Sequence, residues 1–197
     1  MTELSSQQGL LSLLLQPCDR SISRQIEHLD FLFLALDEAR KCEPTPTAFC
    51  VGCVITTRWP TSSSAIVLST GFSRELPGNT HAEANALTKA RQLTATQLQA
   101  LFPVATPDKL TIDTIFANSN IYTTLEPCSI RTSGLEPCSN AIIAAKIPRC
   151  YIGVSEPDDF VQCNGAQELR DAGVEVTWVV DLENECLEVA RLGHSKA

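Results

Sequence analysis

Between Arg24 and Arg40 the apolar residues Ile26, Leu29, Phe33 and Leu36 recur at three- and four-residue intervals, and Ala39 extends the series. That spacing predicts an amphipathic helix with one side turned to a core. Glu43-Pro44-Thr45-Pro46 ends it, because proline has no amide proton to give the helix. The pattern then becomes that of strands. Cys50–Thr57 and Ala65–Thr70 are β-branched runs, and the Pro-, Thr- and Ser-rich stretch Trp59–Ser64 between them predicts a hairpin or a short meander. Helix formers return over His81–Arg91, and a short helix is expected over Ala95–Leu101 before Pro103.

From Asn120 onward strand and helix patterns alternate. Strands are predicted at Asn120–Thr124, Cys150–Val154 and Val174–Val180, with helices at Pro137–Ala145, Gln167–Asp171 (closed by Gly173) and Glu183–Arg191. Such a succession calls for parallel strand pairs with helices laid over the sheet, an α/β layered sandwich. No low-complexity stretch or linker divides the chain, so residues 24–197 are expected to form one domain, preceded by an arm or helix over 1–23. The apolar patch Leu10–Leu15 is broken by Ser12 and has no basic residue before it. It is read as part of that arm and not as a leader. The segment Gln92–Ile115 is given no role beyond that of a lid or an interface.

Composition narrows the function classes. The chain has 197 residues, of which 44% are hydrophobic, enough for a single packed core. Its net charge of −8 argues against a surface that grips a nucleic-acid backbone. No stretch is long and apolar enough to cross a membrane. The nine cysteines are an odd number in a chain with no evident secretory leader. They are read as metal ligands or buried apolar groups in a reducing, cytoplasmic setting. Cys50 and Cys53 form a Cys-x-x-Cys in a predicted strand. Side chains three apart on a strand point to opposite faces, so these two are expected to be core thiols and not a second metal site.

The chemistry concentrates in two places. Leu125-Glu126-Pro127-Cys128-Ser129 recurs residue for residue as Leu135-Glu136-Pro137-Cys138-Ser139, so two thiols are presented alike, each after a proline. Proline favours the first helical position, where the positive helix end lowers a thiol pKa and suits it to zinc. The other place is His81-Ala82-Glu83. Thr80 and Glu83 also fit a capping box, in which case His81 is an ordinary first-turn residue. Residues two apart face opposite ways inside a helix. For His81 and Glu83 to share a centre they must lie at the helix start, re-aimed by the turn Pro77-Gly78-Asn79-Thr80. Together these pieces match the zinc deaminase signature H-x-E…P-C-x-x-C, a pattern already attached to that chemistry, in order though not in spacing. Nine residues separate Cys128 from Cys138 where the signature has two.

That longer gap is where a resemblance sharpens. Thr124-Leu125-Glu126-Pro127-Cys128-Ser129, an insert, then Pro137-Cys138 resembles the pyrimidine deaminase of riboflavin biosynthesis, and its fungal form in particular. Phe49-Cys50-Val51-Gly52-Cys53-Val54, the run Gly71–Thr80 and Glu156-Pro157-Asp158-Asp159-Phe160-Val161 agree with it. The resemblance implies a cytidine-deaminase-like three-layer α/β/α sandwich with a central mixed sheet of about five strands. It implies one Zn2+ per chain on His81, Cys128 and Cys138, with Glu83 as the catalytic proton shuttle. The substrate implied is a small phosphorylated pyrimidine, 2,5-diamino-6-(ribitylamino)pyrimidin-4(3H)-one 5′-phosphate, which loses its C2 amine as ammonia. Arg131, Ser133 and Gly134 in the insert are expected at the phosphate, with Arg74 a second candidate, and Asn79 and Ala82 beside the ring or sugar. A homo-oligomer, a dimer first of all, is expected, with neither nucleic acid nor membrane as partner. Two other readings stand beside this one: a deaminase of another base, nucleoside or antibiotic, and a non-catalytic zinc module. The module would close its site with a fourth protein ligand such as Cys50 or Cys163.

Overall fold

The structure, a computed structural model, describes residues 17–58, 64–106, 110–131, 133–157 and 163–194. The apolar patch Leu10–Leu15, most of the turn Trp59–Ser64, and Asp158–Val161 lie outside the described residues. Helix α1 (Pro17–Ala39) precedes the hairpin strands β1 (Gly52–Thr57) and β2 (Ile66–Phe72). Helices α2 (Ala82–Arg91), α3 (Ala95–Leu101) and α4 (Ile112–Phe116) lead to β3 (Ser119–Leu125). Then follow α5 (Cys138–Ala144), β4 (Arg149–Val154), α6 (Gly165–Asp171), β5 (Glu175–Trp178) and α7 (Glu183–Ala190).

The five strands form one mixed sheet in the order β2-β1-β3-β4-β5. β1 runs antiparallel to both β2 and β3, whereas β3, β4 and β5 are parallel. Alternation along the strands sends Cys53 and Ile55, Ile121, and Cys150 and Ile152 into one apolar layer with residues of α2, α4, α5 and α6. Val54, Tyr122 and Tyr151 enter the opposite layer, under α1 and α7. The chain is therefore a three-layer α/β/α sandwich, as expected, and Cys50 and Cys53 fall in opposite layers.

Two local expectations needed revision. The helical period over 24–40 was right, and Leu36 and Ala39 are buried as the spacing predicts, but the buried face turns away from Ile26 and Phe33. Those two are 53% and 47% exposed, while Leu32, Ala35, Leu36 and Ala39 are wholly buried. The reason is the close approach of α1 to β1: a Cβ on Gly52 would lie 1.9 Å from the Ala35 carbonyl oxygen. Only a face carrying alanines can pack so near a strand, so small residues, not the largest ones, select the interface. The helix also begins at Pro17, so the 23/24 boundary falls within it. The second revision is α4, at the end of the segment read as a lid or an interface, where no helix is predicted. Thr111 caps it by accepting from the Thr114 N–H at 3.2 Å, and Ile115 and Phe116 are fully buried.

Candidate active site

Two ends of the fold meet at the site. β3 and β4 are parallel and leave the sheet on the same edge, where Leu125 pairs with Val154 and the Glu126 N–H donates to the Val154 carbonyl at 2.9 Å. In α/β sheets this carboxyl edge is where ligands collect. The residues that follow β3 carry Cys128. Opposite them, α2 begins after His81, whose backbone is still extended (φ −95, ψ 156). That conformation solves the facing problem. His81 precedes the first helical turn, so its ring is free of the helix's angular spacing and lies on the same side as Glu83.

The capping-box alternative fails. His81 is the residue at the cap, with no side-chain capping bond, and the Thr80 hydroxyl donates to the Leu76 carbonyl at 3.0 Å and accepts from Asn85 Nδ2 at 3.0 Å. Cys138 is the first residue of α5, as the proline before it predicts, but Cys128 is not in a helix. Its sulfur is instead reached by the Cys138 N–H at 3.4 Å, so the start of α5 serves both thiols.

His81 Nδ1 lies 3.4 Å from Cys128 Sγ and 3.5 Å from Cys138 Sγ, and the three donor atoms are all within 4.8 Å of one another. A tetrahedral zinc with its usual bonds to sulfur and nitrogen needs donors about 3.5 Å apart. The donor set and its spacing fit that ion. Among the described residues no fourth donor joins the cluster. Cys163 Sγ donates to the Pro127 carbonyl at 3.4 Å, and Cys50 Sγ accepts from Arg74 Nη2 at 3.6 Å. The closed four-ligand site of a structural module is not formed. The contact between the two thiols and burial push Cys138 up, while the same contact with Cys138 draws Cys128 down.

Glu83 is 3% exposed. Burial pushes its carboxyl upward, and the negative Cys128 beside it adds to the shift. Its Oε1 is 3.1 Å from Thr123 Oγ1, which is also 2.9 Å from the Leu125 carbonyl. The Thr123 hydroxyl donates to the Glu83 carboxyl oxygen or to the Leu125 carbonyl, one at a time.

Around this centre lies a pocket of ≈ 140 Å³ whose lining includes Arg74, Asn79, His81, Glu83, Cys128, Arg131, Ser133 and Glu156. Arg131, from the insert, donates through Nη2 to the Asn79 carbonyl and so ties the insert to the turn before α2. Arg74, in the left-handed region at φ 65, donates to the carbonyls of Phe49 (3.1 Å) and Glu43 (2.6 Å). Its guanidinium holds the segment before β1 as well as facing the cleft. The Nε–H of both arginines is buried without a partner. Two expected contacts are not brought to the cleft as side chains. Ala82 is wholly buried in the core, and Gly134 (φ 74) lies outside the lining. Thr123, Glu126 and Glu156 belong to the site without having been singled out. Glu126 lies in the repeated Leu-Glu-Pro-Cys-Ser motif and Glu156 in the stretch Glu156–Val161, which signal the neighbourhood and not these roles.

A His-Cys-Cys donor set beside a buried glutamate, at the carboxyl edge of a mixed sheet, is the arrangement of the zinc-dependent deaminases. The comparisons with known proteins agree, and the chain belongs to the cytidine and deoxycytidylate deaminase zinc-binding family, which residues 25–154 match. It is 36% identical, over 98% of its own length, to the diaminohydroxyphosphoribosylamino-pyrimidine deaminase of Schizosaccharomyces pombe, and spans 43% of that relative. The Rib2 deaminase of Aspergillus oryzae, crystallised in complex with DARIPP, superposes with a TM-score of 0.66 at 33% identity, covering 85% of this chain and 92% of that one. A bifunctional deaminase/reductase from Thermotoga maritima shares the fold, with a TM-score of 0.61 at 24% identity over 85% of this chain and 40% of its own.

Proposed function

We propose that the protein is the pyrimidine deaminase of riboflavin biosynthesis, converting 2,5-diamino-6-(ribitylamino)pyrimidin-4(3H)-one 5′-phosphate to 5-amino-6-(ribitylamino)uracil 5′-phosphate and ammonia. The observation that carries this reading is the insert between the two cysteines. Its Arg131 and Ser133 line the same cleft as Glu83 and the His-Cys-Cys cluster, so one pocket offers a reacting centre and a cationic wall for a phosphate. The kinship with the Schizosaccharomyces pombe and Aspergillus oryzae deaminases supports the same substrate class.

In this reading His81, Cys128 and Cys138 would hold one zinc per chain, which would supply the Lewis acidity that activates water near neutral pH. Glu83 moves the protons. It takes one from the attacking water and gives it to the ring nitrogen next to C2, then carries the proton of the hydroxyl now on C2 to the amine, so that the C2 carbonyl forms as ammonia leaves. Its upward-shifted carboxyl suits a group that must both hold and release a proton near neutrality. Thr123 fixes the carboxyl's rotamer. The buried, unpartnered Nε–H of Arg131 and of Arg74 are donors that a phosphate or sugar oxygen would satisfy.

Among the described residues no helix is long and apolar enough to cross a membrane. Ligation by thiolates requires reduced cysteines, which supports a reducing compartment, the cytoplasm in our reading, and a homodimer is the assembly we expect in solution. The deciding experiment follows ammonia release from the ribityl pyrimidine phosphate, its ribosyl counterpart, cytidine and guanine. Turnover of the ribityl compound that disappears in Glu83→Gln, with zinc and fold retained, supports the reading. Turnover of cytidine alone would overturn it.

A further inference from the structure

Three carboxyl groups line the cleft: Glu83, Glu126 and Glu156. Two are committed. Glu83 is bound to Thr123 and faces the cluster, and Glu126 Oε1 accepts from the Ala166 N–H at 2.9 Å, holding the start of α6. Glu156 has no such task. Among the described residues it takes part in no ion pair, and its one side-chain partner is the thiol of Cys163, a weak donor. It stands two residues beyond β4, next to the chain that leaves β3 toward Cys128. A half-buried carboxyl with most of its acceptor capacity unspent is costly unless a ligand brings donors to it. The cost shows in its pKa, which burial raises to about 7.

Resting on the substrate class proposed above, we propose that Glu156 is the residue that selects the ring, accepting hydrogen bonds from the amino groups on C5 and C6. With C2 at the His-Cys-Cys cluster, those two N–H groups occupy the far edge of the pyrimidine, adjacent and parallel. A carboxylate can receive both. A cytosine nucleoside must present C4 to the cluster, which puts its glycosylated N1 and its C6–H at that far edge; with no N–H there it would leave the acceptor unpaired, so Glu156 separates diaminopyrimidines from nucleosides that the zinc centre would otherwise deaminate. Arg131 and Ser133 recognise the phosphate in this scheme and cannot make that distinction, because deoxycytidylate carries a phosphate too.

The test compares kcat/KM for the ribityl pyrimidine phosphate and for the same compound lacking its 5-amino group. We expect the wild-type protein to prefer the full substrate by about 100-fold, the size of losing hydrogen bonds to a charged, half-buried acceptor. Glu156→Gln, which keeps the shape and replaces an acceptor oxygen with a donor, should reduce that preference to less than about five-fold. Glu156→Asp should restore part of it. Calorimetric binding of the deaminated product and its 5-deamino analogue to the zinc-loaded proteins gives the same comparison without turnover. Variants that keep zinc and fold but retain the full preference overturn the inference, as does an equal loss on both compounds. Failure of the wild-type protein to turn over either compound, with cytidine deaminated, would instead refute the function proposed above, so the two failures are distinguishable.

Discussion

Gly165→Ala tests how the fold holds Cys128. A Cβ on Gly165 would lie 1.7 Å from the Pro127 carbonyl oxygen and 2.9 Å from its carbon, both of them backbone atoms in the loop that carries the thiol. Reaching an ordinary carbon–oxygen contact of about 3.3 Å requires the two segments to separate by roughly 1.5 Å. Three bonds cross that gap: the Ala166 N–H to Glu126 Oε1 at 2.9 Å, the Asn164 N–H to Ser129 Oγ at 3.0 Å, and Cys163 Sγ to the Pro127 carbonyl at 3.4 Å. An opening of that size exceeds the reach of all three. Two ordinary hydrogen bonds and the strain of overpacking together come to about 3 kcal/mol. In a chain of this length that is a fall of roughly 6–12 °C in Tm. On the opposite side the Cys128 backbone is held by the N–H and hydroxyl of Ser139, both 3.2 Å from its carbonyl, and its sulfur by the Cys138 N–H at 3.4 Å, so displacing the loop strains the contacts that place the sulfur. Zinc affinity should drop by about 10- to 100-fold, the usual effect of disturbing the groups that orient a ligand. Competition against a chromogenic chelator and calorimetry of the metal-free and zinc-loaded variant measure the two effects separately. A Gly165→Ala protein with zinc affinity within about two-fold of wild type and a Tm within about 2 °C would refute the mechanical link.

Removing the metal with a chelator should lower Tm by about 10 °C when zinc had been present at 1,000 times its Kd, since such a ligand adds about 4 kcal/mol to the folded state; calorimetry with and without re-added zinc checks this. Arg131→Ala should raise KM for the phosphorylated substrate by about 10- to 100-fold, the worth of a charge-assisted bond, and change KM for its dephosphorylated form far less. Steady-state kinetics on the two compounds separates these outcomes. His28 stacks on Tyr151 at 4.1 Å and its Nδ1 is 2.9 Å from the Tyr122 hydroxyl. Burial lowers its pKa below 6.5, outweighing the opposing pull of Glu27, while Arg24, Arg58 and Arg149 also lower it. The unfolded chain therefore takes up the proton first, so this group's stabilising effect is complete above pH 6.5 and is lost as pH falls through the native value. Denaturant titrations of His28→Phe between neutral and acidic pH should show a shallower loss than wild type.

The sequence by itself determined the order of elements and the reacting groups. Strand and helix periods from Asn120 onward foretell the parallel β3, β4 and β5, because a period of two or of three to four is a local property of the chain. His81, Cys128 and Cys138 were legible because their chemistry is rare and the prolines before the cysteines mark the positions. The structure then brings all three within 4.8 Å. Only the tertiary structure decided which face of α1 is buried, since that depends on the space Gly52 leaves for Ala35, a residue 17 positions away. It also decided the state of Glu83. The same Thr80…Glu83 spacing serves a capping box or a buried acid, and the placement of Thr123 from a distant strand selects the second. Glu156 shows the limit most plainly. Its stretch Glu156–Val161 carries part of the family resemblance, but nothing in it foretells a role for the carboxyl, because its burial and its place in the cleft arise where two parallel strands end side by side.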